Sequence, residues 1–106
     1  MYLSIKPGVS VRGIRPELVL ALFISQGVLD ELWSNPGRIT SCTDGKHSPG
    51  SLHYVGLAAD IGIRELPPGV AQKYCDQLKI ALGAEFDVVL ESDHIHLEYQ
   101  PKGPIE

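Results

Sequence analysis

Asp44-Gly45-Lys46-His47-Ser48-Pro49-Gly50-Ser51-Leu52-His53-Tyr54-Val55-Gly56-Leu57-Ala58-Ala59-Asp60-Ile61 is the stretch around which this chain organises itself. Its first part carries glycine and proline at intervals that break any periodic pattern, so it predicts a loop. From Leu57 onward the pattern changes. Leu57, Ala59, Ile61 and Ile63 alternate with Ala58, Asp60, Gly62 and Arg64, which is the period of a strand with one buried face. Such a strand turns Asp60 to the other face, and a charge in mid-strand calls for a partner. Glu91-Ser92-Asp93-His94-Ile95-His96-Leu97-Glu98 offers one. In a strand over 94–99, His94, His96 and Glu98 share one face while Ile95, Leu97 and Tyr99 share the other. All four histidines of the chain fall in these two stretches.

Working outward, Ile14-Arg15-Pro16-Glu17 predicts a helix start, with proline near the first position and a carboxylate in the first turn. Val19, Leu22, Phe23, Leu29, Leu32 and Trp33 continue it at mostly helical spacing as far as Ser34-Asn35-Pro36-Gly37, with Gly27 as a weak point. Arg38 to Thr43 predicts a strand that leads into the histidine-bearing loop. After Pro67-Pro68-Gly69, the residues Val70, Tyr74, Leu78, Ala81 and Leu82 line one side of a second helix that stops at Gly83. Phe86 to Leu90 and His94 to Tyr99 predict two strands joined by a very short turn at Ser92-Asp93. The expected fold class is α+β: one domain over residues 1–106, with two helices on a small antiparallel or mixed sheet. Trp33 and Tyr74 are expected in its core.

Composition narrows the partners. A chain of 106 residues supports one core and little more. Its net charge of -4, without a lysine or arginine cluster, argues against nucleic acid, which demands a basic face. No apolar run approaches the roughly 20 residues of a membrane span. The amino terminus lacks the pattern of a signal peptide, so synthesis in the cytoplasm is expected. Two cysteines, Cys42 and Cys75, make no disulfide framework and are expected as buried thiols, with a metal role for Cys42 the lesser possibility.

Two imidazoles, one carboxylate and a spare general base in one place are what a hydrolytic zinc site requires. Zinc takes nitrogen from neutral histidine and oxygen from carboxylate at about 2.0 to 2.2 Å, and catalytic sites leave a fourth position open. His53, Asp60 and His96 are the candidate metal ligands for one zinc per chain, with His47 and His94 beside them. The plainer alternatives are an ion pair of Asp60 with Arg64 or Lys46, a solvated His47, and hairpin-turn roles for Glu91 and Asp93. Glu98 reads either as a residue orienting a ligand histidine or as a solvated edge residue.

The run Asp-Gly-Lys-His-Ser-x-x-Ser-Leu-His-Tyr-x-Gly-x-Ala-x-Asp-Ile over 44–61, followed by Glu-Ser and His-Ile-His over 91–96, resembles the zinc D-Ala-D-Ala carboxypeptidase and endopeptidase family. It is also similar to the amino-terminal domain of hedgehog proteins. The resemblance implies that His53, Asp60 and His96 bind zinc and that His94 stabilises a developing oxyanion. It implies an acidic general base before the last ligand, either Asp93, by the carboxypeptidase spacing, or Glu91, by the hedgehog pattern. Glu91 has the longer reach. Lys46, His47 and Ser51 are the candidates for contact with substrate. Where many members carry an arginine upstream of the first ligand, this loop has Lys46, which supplies charge without a bidentate fork.

Two functions follow as expectations. One is a monomeric zinc metallopeptidase that hydrolyses peptide bonds of the peptidoglycan stem or cross-link, of phage or bacterial type, reaching the cell wall after release or delivery. The other is a non-catalytic zinc-containing protein-binding module of hedgehog-like fold.

Overall fold

The structure is a computed structural model that describes residues 3–33, 35–43 and 56–100. In chain order the elements are strand β1 (Leu3–Ile5), helix α1 (Pro16–Leu32), strands β2 (Gly37–Ser41) and β3 (Ala58–Gly62), helix α2 (Val70–Leu82), and strands β4 (Phe86–Leu90) and β5 (His94–Tyr99). The strands form one mixed sheet in the order β1-β2-β3-β5-β4, on which the two helices pack, so the fold is α+β. Among the described residues only β1 with β2 is parallel, and a parallel neighbour needs a crossover, which α1 provides. The short β1 is an element that the sequence did not predict, because three residues are too few to display a period. The ladder continues past it, with the Lys6 amide donating to the Ile39 carbonyl at 3.0 Å.

Helix α1 begins as expected, with Pro16 in its first turn and Glu17 beside it, and it runs unbroken through Gly27. Its buried face differs from the one predicted. Leu18, Ala21, Leu22, Ser25 and Leu29 face inward, whereas Phe23 is 58% exposed and Val19 half-buried. The expected stripe mixed two faces of a helix whose apolar residues run nearly all round it. Trp33 is also only half-buried; it packs against the edge of the core. Helix α2 buries Tyr74, Cys75 and Leu78, leaves Ala81 exposed, and is followed by Gly83 at φ +78°. Cys42 and Cys75 are both buried and not joined in a disulfide, and burial pushes the Cys75 thiol up.

The helices cover one face of the sheet. Ile39, Ala59, Ile61, Val88, Ile95 and Leu97 lie in the core with Leu18, Leu22, Leu29, Tyr74 and Leu78. In β5 the alternation is as predicted, with Ile95 and Leu97 buried and His94, His96 and Glu98 only partly so. In β3 it holds for Ala59 and Ile61, but Ala58 is buried as well. The turn between β4 and β5 is the short one expected, closed by the Glu91 amide donating to the His94 carbonyl at 2.8 Å.

One buried polar group ties α1 to the sheet. Gln26, 1% exposed, accepts from the Gly37 amide at 2.6 Å through Oε1 and donates through Nε2 to Asp30 at 2.8 Å and to the Asn35 carbonyl at 3.3 Å. Tyr74 is the opposite case: among the described residues its buried hydroxyl makes no well-formed hydrogen bond, Ser25 being its polar neighbour, and burial pushes its pKa up to about 12 against the opposing effect of Ser25. Gln26→Ala strands the Gly37 N–H and is expected to cost about 1–3 kcal/mol. Tyr74→Phe removes an unsatisfied group and should leave stability unchanged or raise it. Urea denaturation of both variants checks the pair, and a Tyr74→Phe loss as large as that of Gln26→Ala would contradict it.

Candidate functional site

The open face of the sheet carries the site. Asp60 in β3 stands directly opposite His96 in β5, and Gly62 stands opposite His94. Next to this row β2 bulges: Ile39 pairs with Ile61 but Ser41 pairs with Asp60, which leaves Thr40 as the extra residue. The Thr40 hydroxyl reaches the Asp60 carbonyl at 3.5 Å. Gly62 leaves room for Thr40 here, since a Cβ there would lie 2.8 Å from Cγ2 of Thr40 and force one of the two to shift. The bare glycine leaves the floor of a groove between β2 and the His94 ring.

Within the row the polar atoms converge. His96 Nδ1 lies 3.0 Å from Asp60 Oδ1, and His96 Nε2 lies 2.6 Å from Glu98 Oε1. His94 Nε2 is 3.7 Å from the same Asp60 oxygen, while His94 Nδ1 bonds Asp93 Oδ1 at 2.7 Å. Arg64 Nη2 donates to the other oxygen of Asp93 at 3.1 Å. The inner pair is the more enclosed, with side-chain exposures of 14% for Asp60 and 22% for His96, against 45% for Asp93 and 81% for Arg64.

Electrostatics follow from these contacts. Asp60 first, then Glu98, favours the charged imidazole and outweighs burial, so the His96 pKa is pushed up to about 9. Asp93 is held below the usual carboxylate range by its hydrogen bond from His94 and, next, by Arg64. A groove of about 500 Å³ runs from Asp60, His94 and Asp93 along Gly62 and Thr40 toward Arg38, Lys6 and Trp33.

The structure therefore brings together Asp60, His96, His94 and Asp93 of the residues expected from sequence. Glu91 is exposed at the turn and does not line the groove, whereas Asp93 does. Lys46, His47, Ser51 and His53 lie outside the described residues. On either side of them the chain is tied down: the Thr43 amide donates to the Ser10 carbonyl at 2.9 Å, and the Arg15 amide donates to the Gly56 carbonyl at 3.0 Å. Arg64, weighed as a partner for Asp60, pairs with Asp93. That contact escaped the sequence reading, although the opposite charges sit on segments that the Ile63 amide to Asp93 carbonyl bond holds together. Tyr99 packs against Phe86, with ring centroids 5.1 Å apart.

Among the described residues no set of three His, Cys, Asp or Glu side chains is arranged to hold a metal ion. Two members of the expected trio are described, and they fit a shared cation in chemistry and spacing. Two donors at zinc distances in a tetrahedral arrangement stand about 3.3 Å apart, and Asp60 Oδ1 and His96 Nδ1 stand 3.0 Å apart.

In metal-free protein the His96 shift has a definite sign. Its folded-state pKa of about 9 lies above the ordinary histidine value of 6.5, so its contribution to stability is full below about pH 6.5 and fades as pH rises through about 9. Chelator-treated protein is expected to lose stability in urea across that window, and His96→Gln should flatten the dependence. An unchanged slope in His96→Gln would refute the assignment. No protein-family model matches this chain, and no curated protein matches it.

Proposed function

We propose that this chain is a zinc-dependent peptidase that hydrolyses peptide bonds in the stem or cross-link of peptidoglycan, in the manner of the D-Ala-D-Ala carboxypeptidases and endopeptidases that its motifs resemble. The observation that carries the proposal is the convergence of His96 Nδ1 and His94 Nε2 on one oxygen of Asp60, at 3.0 and 3.7 Å, beside an open groove. Asp60 and His96, with His53, would hold the ion. Zinc, when bound, supplies polarisation of a carbonyl and acidification of water.

The chain's own residues do the rest. Asp93 and His94 form a hydrogen-bonded pair at the groove, and Arg64 fixes the pair from the solvent side. This pair takes a proton from the attacking water and returns it to the leaving amine, which requires contacts of about 2.6 to 3.2 Å or one bridging water. With its Nδ1–H donated to Asp93, His94 presents Nε2 to the groove, and in its protonated form it donates there to a developing oxyanion. The groove's length beyond Gly62 gives an extended peptide room to lie across β2.

A second reading has one observation in its favour. Asp60, His96 and Glu98 bond one another in a continuous row along the sheet, as a structural cluster in a non-catalytic binding module would.

Elemental analysis for zinc, with release of peptide or D-alanine from purified peptidoglycan, decides between them. The peptidase reading expects one zinc per chain and chelator-sensitive release. Zinc without release supports the module, and no zinc refutes both. For the active protein, Asp93→Asn should retain the metal and lower turnover by about 10²–10⁴-fold, while Glu91→Gln should retain both metal and turnover. Equal turnover in Asp93→Asn and the unaltered chain would remove Asp93 from the mechanism.

A further inference from the structure

Glu98 stands two residues beyond His96 on the same face of β5, opposite Ala58 on one side and Asp87 on the other. Ala58 is fully buried, and the Glu98 side chain reaches back along its own strand to His96. The Glu98 side chain is 17% exposed and its Oε1 meets His96 Nε2 at 2.6 Å, the shortest of the imidazole contacts among the described residues. Among the described residues Glu98 has no ion-pair partner besides His96. A half-buried carboxylate spent on one ring nitrogen has a geometric effect on the other.

We propose that Glu98 is a positioning residue that fixes the proton of His96 on Nε2 and so makes Nδ1 the donor atom facing Asp60. The proposal rests on the zinc reading of the site above. An imidazole has two nitrogens, and which of them offers a lone pair is set by the hydrogen bond that the other makes. Here Nε2–H donates to Glu98 Oε1, and Nδ1 is the nitrogen 3.0 Å from Asp60 Oδ1. The same contact stops rotation of the ring about its own strand and raises the basicity of the nitrogen that remains. Asp93 stands in the same relation to His94, through Nδ1, which leaves Nε2 facing the same oxygen of Asp60. The two histidines therefore face Asp60 through different nitrogens, each selected by a carboxylate on the opposite side of its ring.

The test is zinc affinity of the full chain, read by competition with a chromophoric chelator, in the unaltered protein, Glu98→Ala and Glu98→Gln. Glu98→Ala is expected to bind zinc about 10 to 100-fold more weakly. Glu98→Gln, whose amide oxygen still accepts from Nε2–H, should lie close to the unaltered protein. Nitrogen-15 correlation spectra of the zinc-loaded unaltered chain should show His96 protonated on Nε2, a readout that holds even if Glu98→Ala fails to fold. Equal zinc affinity in Glu98→Ala, or a zinc-loaded His96 protonated on Nδ1, overturns the role of Glu98 alone. An unaltered chain that binds no zinc overturns the metal site itself, and the proposal with it.

Discussion

The alternation of side chains across β3 and β5 is the constraint on which everything else in this structure depends. Ala59, Ile61, Ile95 and Leu97 are fully buried beneath the helices, and Asp60, His94, His96 and Glu98 necessarily stand on the other face. A slip of one residue would exchange the two sets. Burial of each large aliphatic side chain contributes about 1.5–3 kcal/mol, and an unpaired ionised carboxylate in the core would cost several more. The hidden side of the sheet thus decides the composition of the open side, and the histidines need no separate force to hold them in register.

On that open side the polar groups fall into an enclosed pair and an exposed one. Asp60 with His96 is the enclosed pair, and the hydrogen bond to Asp60 moves the imidazole's pKa upward against the effect of burial. Arg64 with Asp93 sits largely in water, where such a pair contributes little to stability. Its effect is on direction: it fixes the carboxylate that meets His94, and through it the ring that faces the groove. Charge at the centre of the row and geometry at its rim are separate tasks given to similar residues.

Most of the sheet was legible because its strands are half-buried and carry a period of two. The β3 strand and the grouping of His94, His96 and Glu98 in β5 follow from that period, while β2 was legible from its branched residues and β4 with the short turn at Ser92-Asp93 from a run of strand-forming residues next to β5. β1 was not legible, since its pairing with Gly37–Ile39 depends on α1 returning the chain to the sheet. The face of α1 was misjudged at Phe23 because a helix with apolar residues on several sides does not say which side is covered. Within the site, Asp60 and His96 were legible as a pair, whereas the Arg64 to Asp93 contact depends on how a turn and a strand end meet in space. The bulge at Thr40 and the bare floor at Gly62 have no signature at all in a single sequence, because each is defined by its neighbour across the sheet.

The partners in the central row come from far apart along the chain: Asp60 and His96 are separated by 36 residues, and Ser4 reaches the Gly37 carbonyl across 33. Contacts of this range are made only after long loops have closed, and chains dominated by them fold slowly. Since β3 and β5 are adjacent in the sheet but have α2 and β4 between them in sequence, no contiguous fragment shorter than that span contains the row. A truncated or partly folded chain can have its helices and its terminal hairpin and still lack the Asp60–His96 pair. Formation of that pair is therefore a reporter of the completed topology, and its kinetics follow the closing of the sheet.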